Sequence, residues 1–204
     1  METRPEFLDS KKLRLFIALE LPDGMKAELA AVQNRLRNRL KFALKWVRPE
    51  GIHLTLKFLG YVEEDLTTTI EAGLARAASG HRQLSLHVRQ LGSFGGRRPR
   101  VVWAGVGGDV EELAALQRSI DREMAKLGFE PEVRGYSAHL TLARVPEGLN
   151  RLQMDEILHA VGNVAEPTPT EATFEEVSLM QSTLRREGAV YKRLSAAPLN
   201  AASA

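Results

Sequence analysis

The chain has 204 residues, with 28 Lys and Arg against 26 Asp and Glu, a formal net charge of +2 and no cysteine. This length suits one large domain or two small packed lobes, and the lack of cysteine excludes disulfides, thiolate metal sites and cysteine nucleophiles. The start, METRPEF, lacks the apolar run of a signal peptide, and no stretch has the length of a membrane span, so the cytoplasm is the expected compartment. The charge is weak for a protein that binds nucleic acid mainly through charge.

The hydrophobic pattern of the first half predicts alternating strands and helices. The first predicted elements are a buried strand over Leu13–Leu21 and a helix capped by Asp23, with Leu29, Val32, Leu36 and Leu40 on one face. A short strand at Trp46-Val47 and a longer one over Ile52–Leu59, which Gly60 ends, come next. A helix marked by Leu66, Ile70 and Leu74 then reaches Ala78, and a half-buried strand follows through Leu84, Leu86 and Val88. The glycine- and arginine-rich stretch Gly92–Arg100 is the predicted internal linker.

After the linker the same order of elements restarts. The second set comprises a strand over Val101–Val106, a helix capped by Asp109 with Leu113, Leu116, Ile120, Met124 and Leu127 on one face and stopped by Gly128, a strand over Ala138–Val145, a short helix over Leu152–Val161, and strands near Thr173–Leu184 and Ala189–Ser195. Pro167 and Pro169 break the chain before the last two strands. The tail Ala197–Ala204 carries too few large apolar residues to add to a core.

The tetrapeptide His-Leu-Thr-Leu occurs twice, at 53–56 and at 139–142. The shift of 86 residues that superposes the two copies also superposes, without a gap, Leu15 on Val101, Ala18 on Ala104 and Asp23 on Asp109. Strand, capped helix and motif strand therefore recur in one register. This recurrence predicts an internal duplication, with halves at about 13–91 and 101–183 of a single domain over 1–204.

Each copy of the motif offers a titratable imidazole beside a hydroxyl. Successive strand side chains point to opposite faces, so His53 shares a face with Thr55 and His139 with Thr141, while the leucines point into a core. Two such strands around a pseudo-two-fold axis would direct both pairs into one cleft. One imidazole can then accept a proton from water or a hydroxyl, the other can donate one to a departing sugar oxygen, and the hydroxyls can stabilise phosphate oxygens. The residues alone leave the two histidines interchangeable.

A single His-x-Thr-x strand is weak evidence for catalysis. A purely structural repeat, however, would keep the leucines and let the outward residues drift, whereas here the histidine and the threonine are the residues that recur. A zinc site is disfavoured, because the chain has neither cysteine nor an HExxH spacing. No metal and no cofactor is therefore predicted.

These motifs resemble those of the 2H phosphoesterase superfamily, named for two HxTx motifs, and within it the bacterial and archaeal RNA 2′,3′-cyclic phosphodiesterases, also called 2′–5′ RNA ligases. The resemblance runs from about Leu13 to Leu194 and rests, in order, on LRLFIALELP, WVRPEGIHLTLKFLG, RRPRVVW, LGFEPE, AHLTLARV and VSLMQSTLRREGAVYKRL. Many relatives have proline just before the second histidine, where this chain has Ser137-Ala138, a difference that a strand tolerates.

The resemblance implies a bilobal α/β (α+β) fold, with two antiparallel sheets and outer helices around a central cleft. It also implies hydrolysis of a terminal RNA 2′,3′-cyclic phosphate to a 2′-phosphomonoester, with His53 as proton donor and His139 as proton acceptor. The same site would make a 2′–5′ bond when a 5′-hydroxyl replaces water. The expected partner is RNA with a 2′,3′-cyclic phosphate end, tRNA fragments included, and the expected protein is a monomer without membrane association.

Four basic residues are weaker candidates for substrate binding. Arg144 is expected on the face of the second motif if that strand is regular, where an arginine can bind a phosphate oxygen. Lys57 is expected on the face of the first motif, although lysine often extends to water. Arg98 and Arg100 adjoin a strand and are candidates for contacts with the RNA backbone. For two aromatic residues near the motifs, Phe16 and Tyr136, a core role is favoured over base stacking.

Two other functions stay open at this point. A non-catalytic RNA-binding module would fit the strand–helix alternation, but it needs exposed aromatic residues on adjacent central strands. The chain is 6% aromatic, and none of these residues is paired in that way. A 2H enzyme that acts on a small cyclic-phosphate nucleotide would keep both histidines but would not need the basic loops.

Overall fold

The computed structural model describes residues 11–133, 135–185 and 188–201. In these residues the α+β class is as predicted, with four α-helices and antiparallel strand pairing. The elements are β1 Lys12–Glu20, α1 Asp23–Arg39, β2 Lys45–Trp46, β3 His53–Glu63, α2 Thr67–Ala78, β4 Leu84–Phe94, β5 Val101–Gly108, α3 Val110–Lys126, β6 His139–Arg144, α4 Arg151–Asn163, β7 Glu171–Phe174, β8 Glu176–Arg185 and β9 Gly188–Pro198.

The strands of the described residues form one sheet in the order β7-β4-β5-β6-β3-β1-β8-β9, with β2 paired to β6. The two motif strands, β3 and β6, lie at its centre and pair at Leu54 and Leu140. The two predicted sheets are thus the two halves of one sheet, β3-β1-β8-β9 and β6-β5-β4-β7. Each half of the sheet combines strands from the first and the second half of the sequence, because β8 pairs with β1 and β7 pairs with β4.

The main core lies between the helices and one face of the sheet. Helix α1 contributes Met25, Leu29, Val32 and Leu36, spaced three or four residues apart as an amphipathic helix requires. Strand β1 is apolar over most of its length because it is buried on both faces: its odd-numbered apolar residues face the helices, while Phe16 and Ala18 form a second, smaller cluster. Each fully buried large side chain contributes about 1.5–3 kcal/mol. The second cluster forms the floor of the region that contains the motif residues.

Several predicted boundaries differ from the structure. Strand β3 continues past Gly60 to Glu63, because Gly60 takes a positive φ of 77° next to an irregular pairing and so bends the strand without ending it. Strand β4 reaches Phe94, which shortens the predicted linker Gly92–Arg100 to residues 95–100. The predicted strand near Thr173–Leu184 is two strands, β7 and β8.

The tail and the helix caps also depart from expectation. Ala197 and Leu199 are buried in the main core, so the expectation that the tail adds nothing was wrong for these residues; positions 202–204 lie outside the described residues. Asp109 precedes α3, yet its carboxylate accepts from Arg82 and from the Ser85 amide and leaves the helix uncapped. Pro22, not Asp23, holds the cap position of α1. In the described residues no helix is long and apolar enough to cross a membrane.

Candidate active site

The two motif histidines are held in the same way. Strand β3 begins at His53, whose Nδ1 lies 2.9 Å from the Gly51 carbonyl oxygen, and β6 begins at His139, whose Nδ1 lies 2.8 Å from the Ser137 carbonyl oxygen. A carbonyl oxygen only accepts, so Nδ1 carries the hydrogen in each ring and Nε2 is left to gain or lose a proton. Each ring is therefore fixed by the backbone two residues before it.

The central strand pair brings the four motif side chains together. Because Leu54 lies opposite Leu140, the antiparallel register sets His53 beside Thr141 and Thr55 beside His139. All four line one cleft of about 270 Å³. Both leucines are buried on the opposite face, as the alternation predicts. A phosphate group in this cleft can contact two imidazoles and two hydroxyls at once.

A β-bulge lies at the last leucine of the motif in each central strand. The pairing of β3 with β1 skips Leu56, and the pairing of β6 with β5 skips Leu142. A bulge inserts one residue and so reverses which side chains face the cleft beyond it. The cleft is therefore lined by Phe58 and Arg144. In regular strands, Lys57 and the residue before Arg144 would face the cleft instead. The arginine therefore lines the cleft because its strand contains a bulge, whereas the prediction assumed a regular strand.

Lys57 forms a buried ion pair and does not line the main cleft, although it lines a second pocket together with Thr55 and His139; its contact with substrate stays a prediction. Its Nζ lies 2.5 Å from Asp121 Oδ1 and 2.8 Å from the Glu130 carbonyl oxygen, and the residue is 7% exposed. Asp121 also accepts from the Glu132 amide. The bulge directs the lysine away from the cleft and into a buried ion pair, where it ties β3 to the chain after α3.

Arg98 and Arg100 do not join the histidines. Arg98 lines a separate pocket beside α4, together with Arg151 and Met154. Arg100 is exposed, and its backbone links two segments: its amide donates to the Phe94 carbonyl and its carbonyl accepts from Val145. Neither arginine is among the residues that line the cleft. Contact of either residue with RNA stays a prediction.

The cleft residues that the sequence did not predict include Arg14 and Tyr191. Arg14 on β1 lines the cleft and donates from Nη1 to Ser182 Oγ at 2.9 Å. A charged residue inside an otherwise apolar strand was the available signal. Tyr191 on β9 also lines the cleft, with its ring centroid 4.8 Å from that of His53. Its sequence neighbourhood carries no comparable signal, because β9 reaches the cleft only through its pairing with β8.

The surroundings of His53 are aromatic and closed. Its ring lies 4.6 Å from Phe16 and meets Tyr191 edge-on. Burial lowers the pKa of His53; the Gly51 carbonyl and the carboxylate of Glu20 oppose this change, and the charge of His139 adds to it. Phe16 is 1% exposed, so the expected core role holds, and its ring also forms part of the cleft wall.

The surroundings of His139 are different. Its ring meets Phe94 edge-on at 4.8 Å, and Phe94 in turn packs on Trp103. Where Glu20 lies opposite His53 in the strand register, Gly105 lies opposite His139. The residues opposite the two histidines are thus 85 positions apart, one fewer than the shift of 86 residues that superposes the two motifs.

Tyr136 and the acidic residues complete the description of the region. Tyr136 donates to the Thr55 carbonyl, and burial raises the pKa of its hydroxyl. It packs against the main core, as expected, so that its hydroxyl braces the first motif strand. Among the described residues no cluster of three or more His, Asp or Glu is arranged to hold a metal ion.

The sequence matches the model of a family described as LigT like Phosphoesterase, twice in succession, over residues 19–103 and 108–191. The RNA 2′,3′-cyclic phosphodiesterase of Methanothermobacter thermautotrophicus is 35% identical over 181 residues, which span 88% of this chain and 95% of that protein. The protein of the same name from Aeropyrum pernix is 36% identical over 152 residues, 74% of this chain and 84% of that one.

Solved structures have the same fold. A crystal structure of a protein from Thermus thermophilus superposes with a TM-score of 0.75 at 25% identity, over 94% of this chain and 100% of that one. Escherichia coli LigT, solved in complex with 3′-AMP, superposes with a TM-score of 0.74 at 22% identity, over 93% of this chain and 99% of that one.

Proposed function

This chain belongs to the LigT-like phosphoesterase family and is a hydrolase, and we propose that it opens the 2′,3′-cyclic phosphate at the end of an RNA chain. The observation that carries the proposal is the cleft in which His53, Thr55, His139 and Thr141 face one another across the central strand pair. Two relatives that match most of this chain carry the name of this activity. A non-catalytic RNA-binding module is no longer a candidate, since the family is one of hydrolases.

In the proposed reaction Nε2 of His139 accepts a proton from a water molecule while the water oxygen attacks phosphorus. The bond from phosphorus to the 3′ oxygen breaks, and His53 Nε2 donates a proton to that oxygen, which leaves a 2′-phosphomonoester and a 3′-hydroxyl. The hydroxyls of Thr55 and Thr141 donate to the non-bridging oxygens, where negative charge accumulates in the transition state. Every proton in this scheme moves through groups that line the cleft.

The proton donor needs an explanation, because burial lowers the pKa of His53. A phosphodiester carries a negative charge, and an opposite charge within about 4–6 Å favours the protonated form of an imidazole. The bound substrate thus raises the pKa of His53 and promotes the protonation that its own cleavage requires. The nearby carboxylate of Glu20 acts in the same direction.

The same groups would catalyse ligation when the 5′-hydroxyl of a second RNA replaces water. His139 would take the proton of that hydroxyl, its oxygen would attack phosphorus, and loss of the 3′ oxygen would leave a 2′–5′ bond. A substrate among tRNA fragments, a monomeric state and a cytoplasmic location stay predictions. A second candidate function is opening of a cyclic mononucleotide, favoured by the small cleft, whose volume of about 270 Å³ lies just below the usual range of about 300–1,000 Å³ for ligand pockets.

The decisive experiment uses a short RNA that ends in a 2′,3′-cyclic phosphate, incubated with the protein in EDTA. We expect the cyclic end to open and the new phosphate to resist a 3′-specific phosphatase, which identifies it as the 2′ product. The variants His53→Ala and His139→Ala serve as controls for contaminating nuclease. A phosphatase-sensitive product, or activity that EDTA abolishes and added metal restores, would contradict the proposal.

A further inference from the structure

A basic groove opens from one side of the cleft. It is lined by residues that include Lys45, Trp46, Arg48, Arg144 and Tyr191, and its volume is about 490 Å³. Arg144 and Tyr191 also line the cleft, so the two spaces are continuous. The cleft, at about 270 Å³, is the smaller of the two. A ligand whose end occupies the cleft therefore has room to continue into this side groove.

The cations of the side groove lack carboxylate partners in the described part of the chain. Lys45, Arg48 and Arg144 form no ion pair there, and no acidic side chain among the described residues lines the groove. Elsewhere, cations such as Arg82 and Arg193 are held by carboxylates. Among the described residues, three positive charges of the groove thus stand next to the motif histidines without a paired carboxylate, an arrangement that attracts a polyanion.

Two of these cations are held opposite each other. Lys45 and Arg144 are directly paired in the antiparallel register of β2 and β6, and like charges in this position destabilise a strand pair. An anion between them would remove this repulsion. The backbone pairing of these two residues holds the strands together despite the repulsion between their charges. A repulsion of this kind beside the cleft points to an anion that binds between the two cations.

The segment that carries Lys45 and Arg48 is fixed before any ligand arrives. The buried side chain of Gln33 on α1 donates to the carbonyl oxygens of Val47 at 2.7 Å and Leu142 at 2.9 Å. The Val47 amide also donates to the Leu142 carbonyl. These bonds attach the chain after β2 to the second motif strand. The positions of the two cations are therefore coupled to the position of the motif.

We propose that the side groove binds the phosphodiester backbone on the 5′ side of the terminal nucleotide and so makes this enzyme prefer RNA chains to cyclic mononucleotides. The inference rests on the proposed function and adds the part of the substrate that the groove recognises. Backbone phosphates are contacted mainly by lysine and arginine and position a nucleic acid without reading its sequence. The groove thus selects for chain length, and any RNA sequence satisfies it.

The test compares three substrates with 2′,3′-cyclic phosphate ends: a mononucleotide, a dinucleotide and a longer oligomer. We expect kcat/KM of the wild type to rise at the dinucleotide, the first substrate with an additional backbone phosphate. In the double variant Lys45→Gln, Arg48→Gln, the ratio of kcat/KM for the dinucleotide to that for the mononucleotide should fall by about tenfold or more. The matched control Arg39→Gln, Lys41→Gln removes two exposed charges outside the groove and should keep the wild-type ratio.

A salt titration gives a second readout that needs no variant. Each phosphate contact with a single strand adds about −0.7 to the slope of log affinity against log salt concentration. The wild-type kcat/KM should therefore fall more steeply with salt for the dinucleotide than for the mononucleotide. Equal ratios in the double variant and the wild type, or equal salt slopes for the two substrates, would overturn the inference. A wild type that opens none of the three substrates would contradict the proposed function instead.

Discussion

The two motif strands β3 and β6 share the tetrapeptide His-Leu-Thr-Leu, the hydrogen bond from Nδ1 to a backbone carbonyl and the bulge at the last leucine of the motif, yet they face different surroundings. Beyond the bulge β3 presents Phe58 to the cleft, whereas β6 presents Arg144. Opposite the histidine of β3 lies Glu20, and opposite that of β6 lies Gly105. The shared features place two similarly held imidazoles in one cleft, and the differences give the two imidazoles different electrostatic environments.

This difference suggests how a near-symmetric site can perform a directional reaction. The side of β3 is aromatic and closed and carries a carboxylate that favours a protonated imidazole. The side of β6 carries Arg144, which lines both the cleft and the basic side groove. We infer that the scissile 3′ oxygen lies toward His53 and the attacking water toward His139. Each variant below perturbs one side of the comparison.

The largest losses should follow removal of either imidazole. We expect His53→Ala and His139→Ala each to lower kcat/KM for a cyclic-phosphate RNA by about 10²- to 10⁴-fold, because each removes one of the two proton transfers. Single-turnover assays with purified variants measure the effect. If one histidine could be removed at little cost, the two strands would not form a functional pair.

Loss of the threonine hydroxyls should come next. We expect Thr55→Val and Thr141→Val to lower kcat by about 10²-fold each, because each removes a donor to the non-bridging oxygens while it keeps the shape of the side chain. Comparison of kcat with KM provides the check. An effect confined to KM would mean that the hydroxyls bind the ground state and the transition state equally.

The residues beyond the bulges should differ in effect. We expect Arg144→Met to raise KM about tenfold, because it removes a charge from both the cleft and the side groove. The partner variant Phe58→Met exchanges one apolar group for another and should change KM much less. Steady-state kinetics on the same RNA measures KM for both variants. Equal increases in KM would contradict the proposed difference between the two strands.

The smallest effect on catalysis is expected at Lys57, where the cost is in stability. Lys57→Met leaves Asp121 without its cationic partner and should lower the free energy of unfolding by about 3 kcal/mol, the low end for a broken buried pair, because Asp121 is partly exposed and keeps its bond from the Glu132 amide. Urea unfolding measures the loss. The control Lys12→Met breaks an exposed pair with Glu63 and should cost less than about 1 kcal/mol. A raised KM with unchanged stability in Lys57→Met would show instead that Lys57 contributes to substrate binding.

Much of the fold could be predicted because its signals are local. The alternation of leucines with His and Thr fixes which face of each motif strand is buried, and the helical spacing from Leu29 to Leu36 marks α1. The α+β class and the family follow from such patterns. The sequence also contains a capping box at Asn150 and Gln153, and α4 begins within it, one residue before its predicted start.

The rest depended on contacts between distant parts of the chain. The bulges at Leu56 and Leu142 have no mark in the sequence, since a leucine suits a regular strand equally well. They nevertheless decide that Lys57 is buried and Arg144 is in the cleft. Tyr191 reaches the cleft because β9 pairs with β8 and β8 pairs with β1 from the other end of the chain. Leu199 is buried, and its amide donates to the Glu175 carbonyl. Alternation alone cannot predict pairings of this kind.

The division of roles between the two histidines is tested most directly by the pH dependence of kcat/KM in EDTA. Under the proposed roles, activity requires a protonated His53 and a neutral His139, so the wild-type profile should be bell-shaped. His53→Ala should lose the fall at high pH and keep the fall at low pH, and His139→Ala should do the reverse. Because burial lowers the pKa of His53, the high-pH fall of the free wild-type enzyme should begin below the usual range for histidine. Reversed limbs, or the same limb lost from both variants, would contradict the assignment.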